Sequence, residues 1–342
     1  MPRNPFSKES PLATIPSTMQ AVTVLKPGKD SSLQLQSYPV PVPSAEQLLI
    51  KVAAAGINRA DLMQRRGMYP PPPGDSEILG LEVAGIVVAA GPQHKSWLGK
   101  AVFGLVPGGG YAEYALLHAG HAMAVPAGYS MAEAAACAEV FLTAYQLLFT
   151  IGGLQSGQRV LIHAGASGVG TAAIQLAKAA GAMVAVTASS EDKLAACKEL
   201  GAELLLNYTA LRFEQQLAAQ WPDGINLILD PVAGDYIGRE IPLLAMDGKI
   251  IIYAMMGGRD IPQLDLAALF KRRGQFICST LRNRSNRYKT ALTQAFSNAF
   301  GRALAQRQIA PVLQQQFTLQ QAEQAHQLMA SNQTVGKLVL TL

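Results

Sequence analysis

The residues best equipped for chemistry lie just after His163, where Gly165-Ala166-Ser167-Gly168-Val169-Gly170 follows the apolar run Val160–His163. A short run of that kind suits a strand buried on both faces. Behind the glycines, Thr171–Ala180 is alanine-rich and keeps apolar residues at helical spacing. Strand, glycine turn and helix in that order point backbone N–H groups at an incoming anion, and a dinucleotide pyrophosphate is the ligand such a turn takes. The spacing is a variant of G-x-G-x-x-G, so a second reading stands beside it: a tight turn that needs glycine for positive φ and holds nothing. The next residues favour the ligand. Met183–Thr187 is another apolar run, and Ser189-Ser190-Glu191-Asp192-Lys193-Leu194 opens another helix, which completes a βαβ unit of ordinary length.

A site for NAD carries Asp or Glu at the end of the second strand, to hold the ribose 2′-hydroxyl. Here that position reads Ala188-Ser189-Ser190, with Lys193 one turn on. Hydroxyls and an ammonium suit a 2′-phosphate, so NADPH is the expected coenzyme. Two features pull the other way. Ser190 can cap the helix that opens at Glu191 and leave Lys193 to solvent, and Glu191 is itself a nearby carboxylate. Further along, Tyr253–Gly257 follows a predicted strand at its carboxyl end, where ligands bind in open parallel sheets. Asp230 also ends a predicted strand and reads as a turn residue.

Two kinds of scaffold have to hold these groups. Up to about Pro126 the apolar runs Met19–Lys26, Leu48–Ala55, Val83–Ala90 and Ala101–Val106 are separated by Pro39–Pro43, Pro70–Gly74, Gly91-Pro92 and Pro107–Gly110. That is the punctuation of a β-rich unit. Met131–Phe149 reads as one helix with a long apolar face. Beyond it, predicted strands at Val160–His163, Met183–Thr187, Leu204–Leu206, Ile225–Asp230, Lys249–Tyr253 and Gln275–Cys278 alternate with helices. This is the grammar of an α/β fold with a doubly wound, Rossmann-type parallel sheet. Helices follow at Tyr288–Gln306 and Leu319–Met329, and Lys337–Leu342 is a last strand that returns to the β-rich unit. The expected division is a disordered tail over 1–18, a discontinuous β-rich domain over 19–140 and 285–342, and a nucleotide-binding domain over 141–284.

Of the 342 residues, 49% are hydrophobic and 15% charged, which supports a sizeable core. The net charge of +5 comes without a long basic run, so it fits an anionic cofactor better than a nucleic acid. The three cysteines, Cys137, Cys197 and Cys278, are far apart. They make neither a disulfide framework nor a metal spacing, and point to a reducing, cytoplasmic setting. No apolar stretch reads as long enough to cross a membrane, and Met1–Thr18 lacks the apolar core of a secretion signal.

Longer runs carry a family resemblance: Asn58-Arg59-Ala60-Asp61-Leu62-Met63-Gln64-Arg65, Tyr69-Pro70-Pro71-Pro72-Pro73-Gly74, Ile78-Leu79-Gly80-Leu81-Glu82, His163–Gly170, Asn207-Tyr208 and Leu269–Arg273. On these the chain, from Met19 to Leu342, resembles the zinc-free quinone oxidoreductase branch of the medium-chain dehydrogenase/reductase superfamily, most closely its p53-inducible type. The resemblance implies a GroES-like β domain beside the Rossmann domain, a cleft between them, and a homodimer. Zinc-dependent relatives use a histidine in a Gly-His-Glu run, where this chain has Leu81, and leucine cannot ligate. His94, His118, His121 and His326 lack a supporting pattern and read as surface or satisfied histidines, so no metal is expected.

The resemblance also carries Tyr69 and Asn58 to the catalytic cleft, as groups that orient the substrate's carbonyls. Their plainer readings are a turn aromatic and the cap of a helix over Asp61–Arg65; Asp61 itself reads as structural. Thr143, Tyr253, Met255 and Gly257 match positions that line the nicotinamide, while Leu281, Asn332 and Thr334 match further cofactor contacts. The lysine and tyrosine corresponding to Lys193 and Tyr208 approach the 2′-phosphate in relatives, beside Ser189. The family pattern often has tyrosine where Met63 stands. The implied activity is zinc-independent reduction of a small-molecule quinone by NADPH. Reduction of an enone or enoyl double bond is the alternative, and a zeta-crystallin-like binding role with little turnover is a second.

Overall fold

Residues 15–342 are described by a computed structural model. Residues 1–14, most of the expected tail, lie outside the described residues, and Thr18 already belongs to the first strand. The hairpin β1 (Thr18–Leu25) and β2 (Ser32–Pro39) opens the chain. Then β3 (Gln47–Ile57), α1 (Arg59–Arg65), β4 (Glu82–Ala90), β5 (Ala101–Leu105), β6 (Tyr114–His118) and β7 (Met123–Ala124) build an antiparallel sheet around β3 and β4.

The expected single helix over Met131–Phe149 is divided into α2 (Met131–Ala135), α3 (Ala138–Tyr145) and a π-helical turn, Gln146–Ile151. The break has a local cause. The Glu139 N–H, which an unbroken helix would direct to the carbonyl four residues back, donates instead to Glu82 Oε2 at 2.8 Å. By length and composition alone Met131–Ile151 is apolar enough to span a bilayer, which corrects the sequence expectation. Here 72% of its most apolar window is buried, where it joins the core shared by both sheets.

A parallel layer follows: β8 (Arg159–Ile162), α4 (Gly168–Ala179), β9 (Met183–Ala188), α5 (Glu191–Glu199), β10 (Leu204–Asn207), α6 (Phe213–Gln220), β11 (Ile225–Asp230), α7 (Tyr236–Glu240), β12 (Leu244–Ile252), α8 (Leu266–Lys271) and β13 (Gln275–Cys278). The strand order is β10-β9-β8-β11-β12-β13. Its direction reverses between β8 and β11, which opens a crevice at their carboxyl ends. After α9 (Asn286–Ala305) the chain returns through β14 (Leu313–Thr318), α10 (Ala322–Ala330) and β15 (Lys337–Thr341). β15 pairs antiparallel with β3, and the first sheet reads β14-β15-β3-β4-β5-β7 with β6 also on β3. The two layers meet along the glycine turn: Gly336 N donates to Ala166 O at 2.8 Å, and Ser167 bridges Gly336.

Candidate active site

The turn after β8 needs its glycines for space and not for backbone sign. The left-handed residue is Ala164, with φ 53°, and none of Gly165, Gly168 and Gly170 has positive φ. A Cβ on Gly170 would lie 2.5 Å from the carbonyl oxygens of Ala164 and Gly165, and one on Gly168 would lie 2.8 Å from Lys337 Cδ. Ser167 caps α4, accepting from Gly170 N at 3.0 Å. The N–H groups of Gly168 and Val169 precede any intrahelical acceptor and lie at the positive end of the helix. Ala166 is buried against the core.

At the edge of the crevice Lys193 Nζ donates to Ser189 Oγ at 3.1 Å and to the Asn332 carbonyl at 2.5 Å. Ser190 does cap α5, accepting from Lys193 N at 3.4 Å, yet the ammonium is turned inward. Glu191 is directed away, accepting from Asn207 Nδ2 at 2.9 Å. Tyr208, 43% exposed, follows β10. Asn332 adopts φ 58°, which asparagine tolerates better than most residues, and its side-chain oxygen accepts from Arg59 Nη2 at 2.6 Å. Thr334 lies two residues on. Arg59 is a site neighbour that sequence reasoning did not single out.

Where zinc-dependent relatives place an imidazole, Leu81 is buried, and Glu82 is fully enclosed. Its carboxylate accepts from Lys337 Nζ at 2.7 Å, Asn58 Nδ2 at 2.9 Å and Glu139 N at 2.8 Å. Lys337 Nζ also donates to Ile57 O and Asn58 Oδ1, each at 2.7 Å. Both ends of the Asn58 amide are therefore engaged by the protein, where the side chain braces this ion pair. Asp61 is likewise internal, accepting from Asn58 N, Gly80 N and Tyr111 Oη. His326 lies 3.0 Å from Tyr111 Oη and 3.4 Å from Arg65 Nη1. Burial, and secondarily Arg65, lowers its pKa to about 3, so it is neutral. Among the described residues no group of three or more His, Cys, Asp or Glu is placed to hold a metal.

Tyr69 lies beside Arg282. Arg282 fixes its loop: Nε and Nη2 donate to Pro107 O at 3.1 and 2.9 Å, Nη1 lies 3.4 Å from Tyr69 O, and the guanidinium sits 5.5 Å from the centre of the ring. The Tyr69 hydroxyl has no hydrogen-bond partner among the described residues. Burial, then the charge of Glu139, raises its pKa, so it is a neutral donor. Glu139 was not foreseen. Its Oε1 lies 3.5 Å from Thr143 Oγ1, and burial, reinforced by Glu82, raises its pKa to about 7. The only sequence signal is a lone acid in the run Ala134-Ala135-Ala136-Cys137-Ala138-Glu139-Val140-Phe141. Tyr253, at the end of β12, has a buried hydroxyl without a partner. Gly257 packs on Val232, Met255 is 63% exposed, and the Leu281 side chain is buried in the core.

Free N–H groups at the α4 terminus, the carboxylate-free corner at Ser189 and Lys193, and the orphaned Tyr253 hydroxyl fit a phosphorylated dinucleotide laid along the crevice. Two family models match the chain: residues 44–127 match the alcohol dehydrogenase GroES-like domain, and 168–297 the zinc-binding dehydrogenase domain. Among curated proteins, a quinone oxidoreductase of Lama guanicoe is 30% identical over 337 residues, covering 97% of this chain and 100% of that one. The chain belongs to the zinc-free quinone oxidoreductase branch of the medium-chain dehydrogenase/reductases. The human synaptic vesicle membrane protein VAT-1 homolog is also 30% identical, over 331 residues, 92% of this chain and 84% of that one. Two solved structures superpose closely. Mycobacterial Rv1454c complexed with NADPH has a TM-score of 0.82 at 27% identity, covering 95% and 100% of the two chains. CurK enoyl reductase has a TM-score of 0.83 at 26% identity, covering 95% and 99%.

In this zinc-free oxidoreductase the buried Glu82–Lys337 pair sets a stability prediction. Lys337→Met leaves a buried carboxylate without its cation and should cost about 3–5 kcal/mol, read as a lower urea midpoint. Combining it with Glu82→Gln should recover more than half of that loss.

Proposed function

We propose that this oxidoreductase is an NADPH:quinone reductase whose own groups position the acceptor and protonate the product. The observation that carries the reading is the donor set at the reacting end: the free phenol of Tyr69 and the carboxylic acid of Glu139, beside a Glu82 carboxylate already held by lysine. NADPH, bound along the glycine turn with its 2′-phosphate toward Ser189, Lys193 and Tyr208, supplies a hydride. Thr143, Tyr253 and Gly257 border the space for its nicotinamide, and the loops bearing Met255, Leu281, Asn332 and Thr334 complete the crevice. Tyr69 donates a hydrogen bond to one quinone oxygen, and the Arg282 latch keeps that phenol in place. Hydride addition leaves the reduced quinone one proton short, and Glu139, protonated up to about pH 7, delivers it. Holding acceptor and donor face to face supplies much of the remaining acceleration.

The likeness to CurK enoyl reductase favours one second reading, reduction of an enone or enoyl thioester with the same hydride and Tyr69 or Glu139 as acid. Stopped-flow loss of NADPH absorbance with 9,10-phenanthrenequinone and with crotonyl-CoA separates the two. Turnover of the thioester alone would overturn the quinone assignment.

The same reading includes a homodimer built across β13. This edge strand lies beside exposed Phe270, Leu266, Met255 and Met256, at 82%, 65%, 63% and 51% exposure. An unpaired edge flanked by apolar side chains is the surface that a two-fold partner covers. The free thiols Cys137, Cys197 and Cys278 fit a reducing, cytoplasmic setting.

Four outcomes are expected. Tyr69→Phe should lower kcat/KM for the quinone about 3- to 10-fold, the value of one hydrogen bond. In the unaltered enzyme the rate should fall as pH rises through about 7, where Glu139 loses its proton. Glu139→Gln should abolish that limb and lower the rate at pH 6 by on the order of 10²-fold in steady-state kinetics. Phe270→Glu should convert the dimer to monomer in sedimentation velocity.

A further inference from the structure

Asn332 is the meeting point of two cations from opposite sides of the cleft. Lys193, on α5 of the parallel layer, donates to its main-chain carbonyl at 2.5 Å. Arg59, the first residue of α1 in the β-rich layer, donates to its side-chain oxygen at 2.6 Å and to Met329 O at 3.2 Å. Every one of these acceptors, and Ser189 Oγ on the other side of Lys193, is neutral. Of the two carboxylates just before Lys193, Glu191 is held by Asn207, and Asp192 forms no ion pair among the described residues. Among the described residues neither Arg59 nor Lys193 forms an ion pair.

Two partly buried like charges converging on one residue without a counterion repel each other at a cost in the free protein. Burial lowers the pKa of both, and the charge of Arg59 lowers that of Lys193 further. A dianion placed between them removes both penalties at once. We propose that Arg59 is a second ligand of the coenzyme's 2′-phosphate, reaching from the β-rich layer to the phosphate that Ser189 and Lys193 meet from the parallel layer. This rests on the NADPH reading of the crevice and adds to it a specificity residue outside the nucleotide-binding layer. It makes the extra phosphate of NADPH a tie between the two halves of the cleft, a tie that NADH cannot form.

The test is calorimetric titration of the full chain and of Arg59→Gln, Arg59→Lys and Lys193→Gln with NADPH, NADH, 2′,5′-ADP and 5′-AMP. Loss of one charge-assisted contact corresponds to about 10- to 100-fold in affinity. Arg59→Gln should show that loss for NADPH and 2′,5′-ADP and change NADH and 5′-AMP less than about twofold, as Lys193→Gln should. Arg59→Lys should keep most of the affinity. The slope of log Kd against log salt for 2′,5′-ADP should drop in Arg59→Gln, because one cation fewer meets the anion. An unchanged NADPH affinity in Arg59→Gln, or an equal loss for NADPH and NADH, overturns the proposal; thermal unfolding of the ligand-free variant shows whether an equal loss comes from misfolding. A wild-type chain that binds NADH as tightly as NADPH overturns the coenzyme reading itself, which separates the two failures.

Discussion

A single buried ammonium sets the register of the molecule. Lys337 leaves β15, runs its alkyl stem against Gly168 of the nucleotide turn, and ends on Glu82, Asn58 and the carbonyl of Ile57. One side chain thereby ties β3, β4 and β15 to the helix terminus of the other layer. Such a pair is a poor source of net stability, since desolvating both charges offsets most of their attraction. Its value is specification: a carboxylate enclosed at this point leaves the surrounding strands one arrangement that satisfies it. The same carboxylate accepts from Glu139 N and so divides the helix that carries Glu139 and Thr143 to the cleft. Packing and the helix break share one cause.

The parallel layer was legible because its strands are covered on both faces, so burial writes itself as continuous apolar runs such as Val160–Ile162 and Leu227–Leu229. Strands with one wet face left weaker marks. β2, Ser-Leu-Gln-Leu-Gln-Ser-Tyr-Pro, is half exposed throughout, and β14 opens Leu-Gln-Gln-Gln with those glutamines in solvent. Neither run stands out from a loop on composition, and both were missed. β6 was missed too, although most of it is buried. The glycine turn was found by its spacing, but the reason for its glycines is close approach to Val186, Lys337 and the turn's own carbonyls, which local sequence does not contain.

Site chemistry divided along a similar line. Ser189 and Lys193 could be read locally, because they sit one helical turn apart behind a strand. Asn58 could not: whether its amide faces a substrate or a carboxylate is decided by Lys337, 279 residues away. Arg59 and Glu139 were invisible for the same reason. A cation at a helix start and one acid in an alanine run acquire their partners only through tertiary packing.

Arg282 grips the Tyr69 loop through main-chain oxygens, at Tyr69 and at Pro107, and touches the phenol only through the face of its ring. The loop's position is thus largely indifferent to which side chain stands at 69. Exchange of the side chain at 69 can therefore proceed while the scaffold beneath stays fixed, so variation at this position does not pass through a loss of fold.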